Sequence, residues 1–376
     1  MIDPTGLRSL ACSDDAESRL IAQGEEGGWT LAVGPLDEQA IDEAEGNWSL
    51  LVNDVNRHVP EVSDLLQEFS FIPSWRVDDV MVSYAPSGGG IGPHVDSFDV
   101  FLLQGSGVRR WQIERCKLGA EEEASRLVEG VDIRVLHDFS PCHSWDLGPG
   151  DILYLPPRVP HYGVSMDDEC MTYSIGLRAP SHQELVGFFS DAVASRRVLE
   201  DLRFVDASET VPEQPFMLDK ATINRARAVI KGAMNEGLED DAFFHSWLGS
   251  FLTSSKRLRD DSFPPAPDPE EHYSSTVLDG MGEALRSGAE GPPYLYRTEG
   301  LVCAYMAEEG GASTVFMDGS SFRLTSEIAW VAPLLCGAPR LSWVELVHGG
   351  EKDLCRSMKL LLEDLLEQGY LYAADD

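Results

Sequence analysis

Residues 92–111, GPHVDSFDVFLLQGSGVRRW, place a histidine, two aspartates and two arginines along what reads as a buried, apolar hairpin. Uncompensated polar groups in such a setting cost several kcal/mol each, roughly 2–7 by transfer measurements, so the stretch demands partners for them. A strand has a period of two, and His94 and Asp96 are two residues apart, which puts both on one face if HVDSFDVFLL is a strand. QGSG reads as the turn and VRRWQI as the returning strand. In that second strand Arg109 shares a face with Trp111 and Ile113, whereas Arg110 shares one with Val108 and Gln112. The first set is the more apolar, so Arg109 is expected to point inward.

The surrounding pattern extends the strand reading. WRVDDVMVSYA (75–85) alternates and is broken by SGGGIGP. WDLGPGDILYLPPRVPHYG offers a glycine-rich turn, an apolar strand and a proline-stiffened loop, and CMTYSIGLRAP is a strand ending at Pro180. Short strands with Gly/Pro turns suggest a sandwich or jelly-roll barrel. Before Arg76, segments 38–52 and 60–69 are candidate helices.

From Ser181 the apolar period becomes helical, in QELVGFFSDAVASRRVLEDL, KATINRARAVIKGAMNEGL and DAFFHSWLGSFLTSSKR. The second carries Ile223, Ala226, Val229 and Ile230 at helical spacing. The third lines Phe243, Phe244, Trp247, Leu248 and Phe251 along nearly one stripe, which either an internal core or a dimer interface would cover. DDSFPPAPDPEEHY reads as a linker. Beyond it, EGLVCAYMA and GGASTVFMDG read as strands. KDLCRSMKLLLEDLLEQ is an amphipathic helix ending at Gly369, and YLYAADD a last strand. Helix followed by short strand is the pattern of a winged-helix unit.

Composition narrows the function classes. With 29 Lys+Arg against 64 Asp+Glu, the formal charge of −35 disfavours direct contact with nucleic acid or anionic membranes and favours a basic protein partner. The seven cysteines are scattered without a C-x-x-C, as expected in a reducing compartment. The N-terminus has no basic segment leading into an apolar run, and no stretch approaches ~18 uninterrupted apolar residues. A soluble, cytoplasmic protein is the expectation.

The chemistry resides in three side chains. His161 closes GDILYLPPRVPH, at a sequence distance from which a barrel can return it beside His94 and Asp96. Two imidazoles and a carboxylate on one face form the facial triad of non-heme Fe(II) oxygenases, which leaves coordination positions open for a cosubstrate and dioxygen. An H-x-D pair alone is common, and a solvated pair is its competing explanation. An inward Arg109 needs an anionic partner and fits a carboxylate through its planar fork, either the far carboxylate of 2-oxoglutarate or a buried acid such as Asp99. Cys142 and His143 beside His137 have no matching second pair and read as surface loop.

The runs GGGIGPHVDSFDVFLLQGSGVRRWQI, GDILYLPPRVPH and YSIGLRAP resemble the bacterial ribosomal oxygenases of the JmjC (cupin-like) class. These are Fe(II)- and 2-oxoglutarate-dependent enzymes that hydroxylate an arginine β-carbon of a large-subunit ribosomal protein. The resemblance is dense over the first half and looser beyond it. It implies a mixed α+β chain: a double-stranded β-helix (jelly-roll, cupin-like JmjC) catalytic domain over 1–180, a helical dimerisation region over 181–260, a linker at 261–274 and a winged-helix-like domain over 275–376. It also implies metal ligation by His94, Asp96 and His161, cosubstrate binding by Arg109, and contacts to the substrate arginine from Asp79 and Ser174. The implied partners are a basic ribosomal protein as substrate and a second copy of the chain, with O2 as the other cosubstrate. The pattern departs at Ala85, where some relatives carry a serine, and at Phe98, where some carry an aromatic hydroxyl. A JmjC oxygenase or demethylase acting on another protein, or a cupin-type metalloenzyme acting on a small metabolite, would share most of these features.

Overall fold

Strand alternation decides the architecture of the first half. The computed structural model describes residues 1–24, 27–130, 133–200, 202–204, 216–254, 274–287, 294–347 and 353–373. Ten strands precede Pro180: β1 Ser18–Gln23, β2 Trp29–Val33, β3 Asn47–Val52, β4 Val77–Ala85, β5 Asp99–Ser106, β6 Arg109–Ile113, β7 His143–Leu147, β8 Ile152–Leu155, β9 His161–Ser165 and β10 Cys170–Leu177. Seven form one sheet in the order β2-β1-β3-β4-β10-β5-β8, and three form another in the order β7-β6-β9. Every pairing in both is antiparallel.

The central strands divide their residues by parity. On one face of the large sheet, Val80, Val82, Leu103, Tyr173 and Ile175 pack with Leu7, Val55 and Val62 from the N-terminal segments. On the other, Val100 and Leu102 of β5 and Leu155 of β8 pack with Trp111 and Leu147 of the small sheet. This second cluster joins the two sheets, and the same face of β4 and β10 carries buried Asp79, Ser83, Thr172 and Ser174. The space between the two sheets is thus apolar on one side and polar on the other.

Three sequence expectations are corrected here. β5 and β6 do not form a hairpin: β5 pairs with β10 and β8, and β6 with β7 and β9, so the chain crosses between sheets at Gly107–Val108. Strand structure begins at Asp99 rather than His94, which makes only an isolated bridge with His161. Segment 38–52 is not one helix. A short helix, Glu38–Asp42, is followed by β3, because the apolar run WSLLV gains partners on β1 and β4 that outweigh its local preference. Segment 60–69 is helical, as the helix Pro60–Leu65 and a 3₁₀ turn over Leu66–Phe69.

The chain divides into two compact units, Met1–Ala179 with Asp261–Val302 and Pro333–Asp376, and Pro180–Asp260 with Cys303–Ala332. The stretch 275–376, expected as one block, thus contributes to both, and residues 261–273 of the expected linker lie outside the described residues. In the second unit the helices His182–Ala194, Lys220–Glu239 and Asp241–Thr253 begin at Ser181, Asp219 and Asp240, whose side chains accept from the first-turn N–H groups. The aromatic stripe is covered internally, with Phe189 against Phe243, Phe244 and Trp247. By contrast Ile223, Val229 and Ile230 are 46%, 56% and 66% exposed. Near the C-terminus the helix Arg356–Glu367 buries Met358, Leu362 and Leu365, and Gly369 follows at φ 72°. A three-stranded sheet combines Tyr294–Arg297, Arg340–Ser342 and Leu371–Ala373.

Candidate metal and cosubstrate site

His94 and His161 meet through their main chains before their rings are considered. The His94 N–H donates to the His161 carbonyl at 3.0 Å, and the His161 N–H donates back at 2.9 Å. The ring centroids lie 4.2 Å apart. Each ring is oriented in the same way, with Nδ1 2.9 Å from the carbonyl two residues earlier, Gly92 for one and Val159 for the other. With Nδ1–H donating there, the Nε2 lone pair of each ring remains free to ligate. Asp96 completes the group, its Oδ1 3.9 Å from His94 Nε2 and its Oδ2 3.4 Å from His161 Nε2.

One ligand atom from each of the three residues falls within 4.8 Å of the others, the only such group among the described residues. Burial, and then the neighbouring His161, hold His94 down to about 4, so it is neutral near pH 7. For Asp96 burial pushes upward, but the neighbouring His161 and His94 outweigh it and hold the carboxyl at about 2. A divalent metal takes imidazoles in their neutral form and an ionised carboxylate. The donor set fits ferrous iron.

The loop carrying Asp96 is fixed from behind. The Arg158 N–H donates to the Asp96 carbonyl at 2.8 Å, with Arg158 itself at φ 67° between Pro157 and Val159. The Arg158 side chain donates to the Leu118 carbonyl and, at 2.7 Å, to buried Glu123, which also pairs with Arg134. This clamp was not evident from sequence, since its partners are far apart in the chain.

Arg109 points inward, as its strand parity predicts, and is 4% exposed. Its Nε and Nη2 have no hydrogen-bond partner among the described residues, and neither does the indole nitrogen of Trp111 on the same face. The competing explanation, an ion pair with Asp99, does not hold. Asp99 accepts from the Tyr154 hydroxyl at 2.6 Å and from Arg76 at 3.2 Å. Asp167, the acid that supports the Arg109 charge, is engaged by the Val108 N–H at 2.7 Å and the Glu169 N–H at 3.1 Å. A buried guanidinium with unused donors, on the strand that also pairs with His161, is suited to the carboxylate of a small diacid.

Asp79 and Ser174 lie in the same lumen, 9% and 8% exposed, on neighbouring strands β4 and β10. Asp79 Oδ2 accepts from the Asp54 N–H at 3.4 Å. Ala85 is buried at the end of β4, whereas Phe98 is exposed with the Arg178 guanidinium 5.7 Å from its ring centre. His137, Cys142 and His143 are exposed and join no metal-holding group among the described residues.

Two antiparallel sheets enclosing a His–Asp–His group beside a buried arginine define an Fe(II)- and 2-oxoglutarate-dependent oxygenase of the JmjC class. A JmjC domain model matches residues 64–185. The chain belongs to the ribosomal oxygenase family: it is 33% identical over 285 residues to the ribosomal protein uL16 3-hydroxylase of Escherichia coli K12, covering 76% of this chain and 72% of that one. A probable ribosomal oxygenase of Haemophilus influenzae is 39% identical over 186 residues, 49% of this chain and 45% of its own. Among solved structures, the E. coli ribosomal oxygenase YcfD in complex with cobalt and 2-oxoglutarate aligns with a TM-score of 0.74 at 28% identity, covering 100% of this chain and 91% of that one. No helix among the described residues is long and apolar enough to cross a membrane.

Proposed function

We propose that this chain hydroxylates the β-carbon of an arginine in a large-subunit ribosomal protein. In this reading His94, Asp96 and His161 hold ferrous iron, Arg109 binds the far carboxylate of 2-oxoglutarate, and Asp79 and Ser174 receive the substrate arginine. The observation that carries it is the pairing of a three-residue ligand group with an inward guanidinium whose Nε and Nη2 lack partners among the described residues. The relative named a ribosomal protein uL16 3-hydroxylase supports the substrate class, and the charge of −35 suits a basic target.

When bound, the iron supplies the oxidation of 2-oxoglutarate and of the substrate C–H bond by dioxygen. The remaining work falls to the chain's own side chains. Backbone carbonyls of Gly92 and Val159 fix the two imidazole tautomers, so that both Nε2 atoms face the metal position. Arg109 neutralises and orients the diacid. The Asp79 carboxylate offers a planar acceptor to a guanidinium and thereby aims the carbons behind it, while Ser174 adds one hydroxyl. The apolar cluster of Val100, Leu102 and Trp111 keeps the lumen beside them dry, which strengthens each of these polar contacts.

The same proposal extends to the assembly. Residues 181–260 serve as a dimerisation region, for which the exposed apolar residues Ile223, Val229 and Ile230 speak, and 275–376 as a winged-helix-like domain. The working place is the cytoplasm, where ribosomal proteins are made. Iron-loaded protein given 2-oxoglutarate, dioxygen and ribosomal proteins should release succinate and add one oxygen atom to an arginine-containing peptide, read by mass spectrometry. Release of formaldehyde instead would identify a demethylase. Light scattering should give twice the chain mass, and a monomer would remove the dimer from the reading.

A further inference from the structure

We propose that Cys170 is a second binding residue for the far carboxylate of 2-oxoglutarate, its thiol donating beside Arg109. The proposal rests on the functional reading above and deepens it at one subsite.

Cys170 opens β10 and is fully buried. It stands opposite Ala85 on β4, and directly opposed residues of an antiparallel pair project from the same face. That face is the polar lumen, so the sulfur shares it with Ser83, Thr172 and Ser174. Gln104 Nε2 donates to Cys170 Sγ at 3.3 Å and to the Ser106 carbonyl at 2.7 Å. The amide is held in that orientation because its Oε1 accepts from the Thr172 hydroxyl at 2.9 Å. Cys170 is also among the groups that support the buried Arg109 charge.

The Gln104 amide nitrogen is a donor to the sulfur, and the guanidinium of Arg109 carries only donors. Neither the Gln104 amide nitrogen nor the Arg109 guanidinium can accept the thiol hydrogen, which leaves it available to a ligand. Arg109 Nε and Nη2 are available in the same way, having no partner among the described residues. A carboxylate answers both, since it accepts from a guanidinium and a thiol together. Ala85 contributes only a methyl group at the opposed position, so within this cross-strand pair Cys170 carries the polar hydrogen.

The sulfur is also held in place. Gly107, at φ 61°, brings the crossing between sheets against β10, where an added Cβ would lie 2.8 Å from Cys170 Cα. Asp167 ties the two ends of this crossing through the Val108 and Glu169 N–H groups. A thiol positioned this firmly loses little freedom when a ligand arrives.

The test is calorimetric binding of 2-oxoglutarate to Mn(II)-loaded full-length protein without dioxygen, so that nothing turns over. Cys170→Ala should weaken binding about tenfold, the scale of one hydrogen bond to a charged group. Cys170→Ser should stay within about threefold of the parent, and Ala85→Ser placed in the Cys170→Ala background should recover most of the loss, because opposed Cβ atoms lie only ~5 Å apart. As a control, 2-oxobutyrate, which lacks the far carboxylate, should bind the parent and Cys170→Ala alike. Equal 2-oxoglutarate affinity for parent and Cys170→Ala overturns the assignment, as does a loss that is the same for 2-oxobutyrate. A parent that binds no 2-oxoglutarate overturns the functional reading itself, an outcome distinct from either.

Discussion

His94 and His161 are each other's main-chain hydrogen-bond partners, a single antiparallel bridge that carries two of the three side chains proposed as metal ligands. The pair is built by backbone hydrogen bonds. Asp96 joins it through its own loop, which the Arg158 N–H supports.

The first prediction follows from that division. Asp96→Ala should leave the bridge and the fold intact, with an unchanged circular dichroism spectrum, while Co(II) affinity falls by at least about a hundredfold. Absorption titration with Co(II) measures it. Parental Co(II) affinity in this variant would exclude Asp96 as a ligand.

A second concerns Arg109. A buried guanidinium without an acid paired to it is costly, and an apolar side chain of similar length removes the cost. Arg109→Met should therefore stabilise the ligand-free protein by about 1–3 kcal/mol while abolishing measurable 2-oxoglutarate binding. Urea denaturation and calorimetry read the two effects separately. A variant both less stable and still able to bind the diacid contradicts the assignment.

The protonation of His94 sets a pH dependence. Its value is lowered to about 4 from an ordinary 6.5, chiefly by burial, so between those limits the unfolded chain binds more protons than the folded one. Stability of the metal-free protein should thus rise as pH increases from 4 to 6.5 and level off above, this residue contributing about 3 kcal/mol. Denaturant midpoints across the range test it, and His94→Gln should flatten the slope. An unchanged slope in that variant would place the dependence elsewhere.

Gly107 supports the crossing from β5 to β6 at φ 61°, with Cys170 Cα 2.8 Å from where a Cβ would stand. Gly107→Ala should cost about 2 kcal/mol in stability and reduce 2-oxoglutarate affinity as well, because the displaced strand end carries the sulfur. A destabilised variant with parental affinity would show that the turn and the diacid pocket are independent.

Much of the site could be read from residue type and parity. Arg109 faces inward because it alternates with Trp111, and β10 follows the run CMTYSIGL without adjustment. His94 and Asp96 do converge, though for a different reason from the one spacing suggests: they lie on a loop held by His161 and Arg158, not on one strand face. The hairpin expectation failed because local alternation describes each strand but not its partner, and β5 and β6 find theirs in different sheets. The Glu123–Arg158 clamp depends on long-range packing that local pattern does not encode. Cys170 did leave a signal, since Cys170, Thr172 and Ser174 recur at the strand period with small polar side chains.

Strand β6 pairs Ile113 with His161 at one end and carries Arg109 at the other. Four residues of extended chain span ~13 Å, a length fixed by hydrogen bonds to both flanking strands. On the proposed reading that spacer sets the separation between the His161 imidazole and the Arg109 guanidinium, so that the pocket would discriminate by molecular length. On that reading a diacid one carbon shorter or longer should bind more weakly than 2-oxoglutarate.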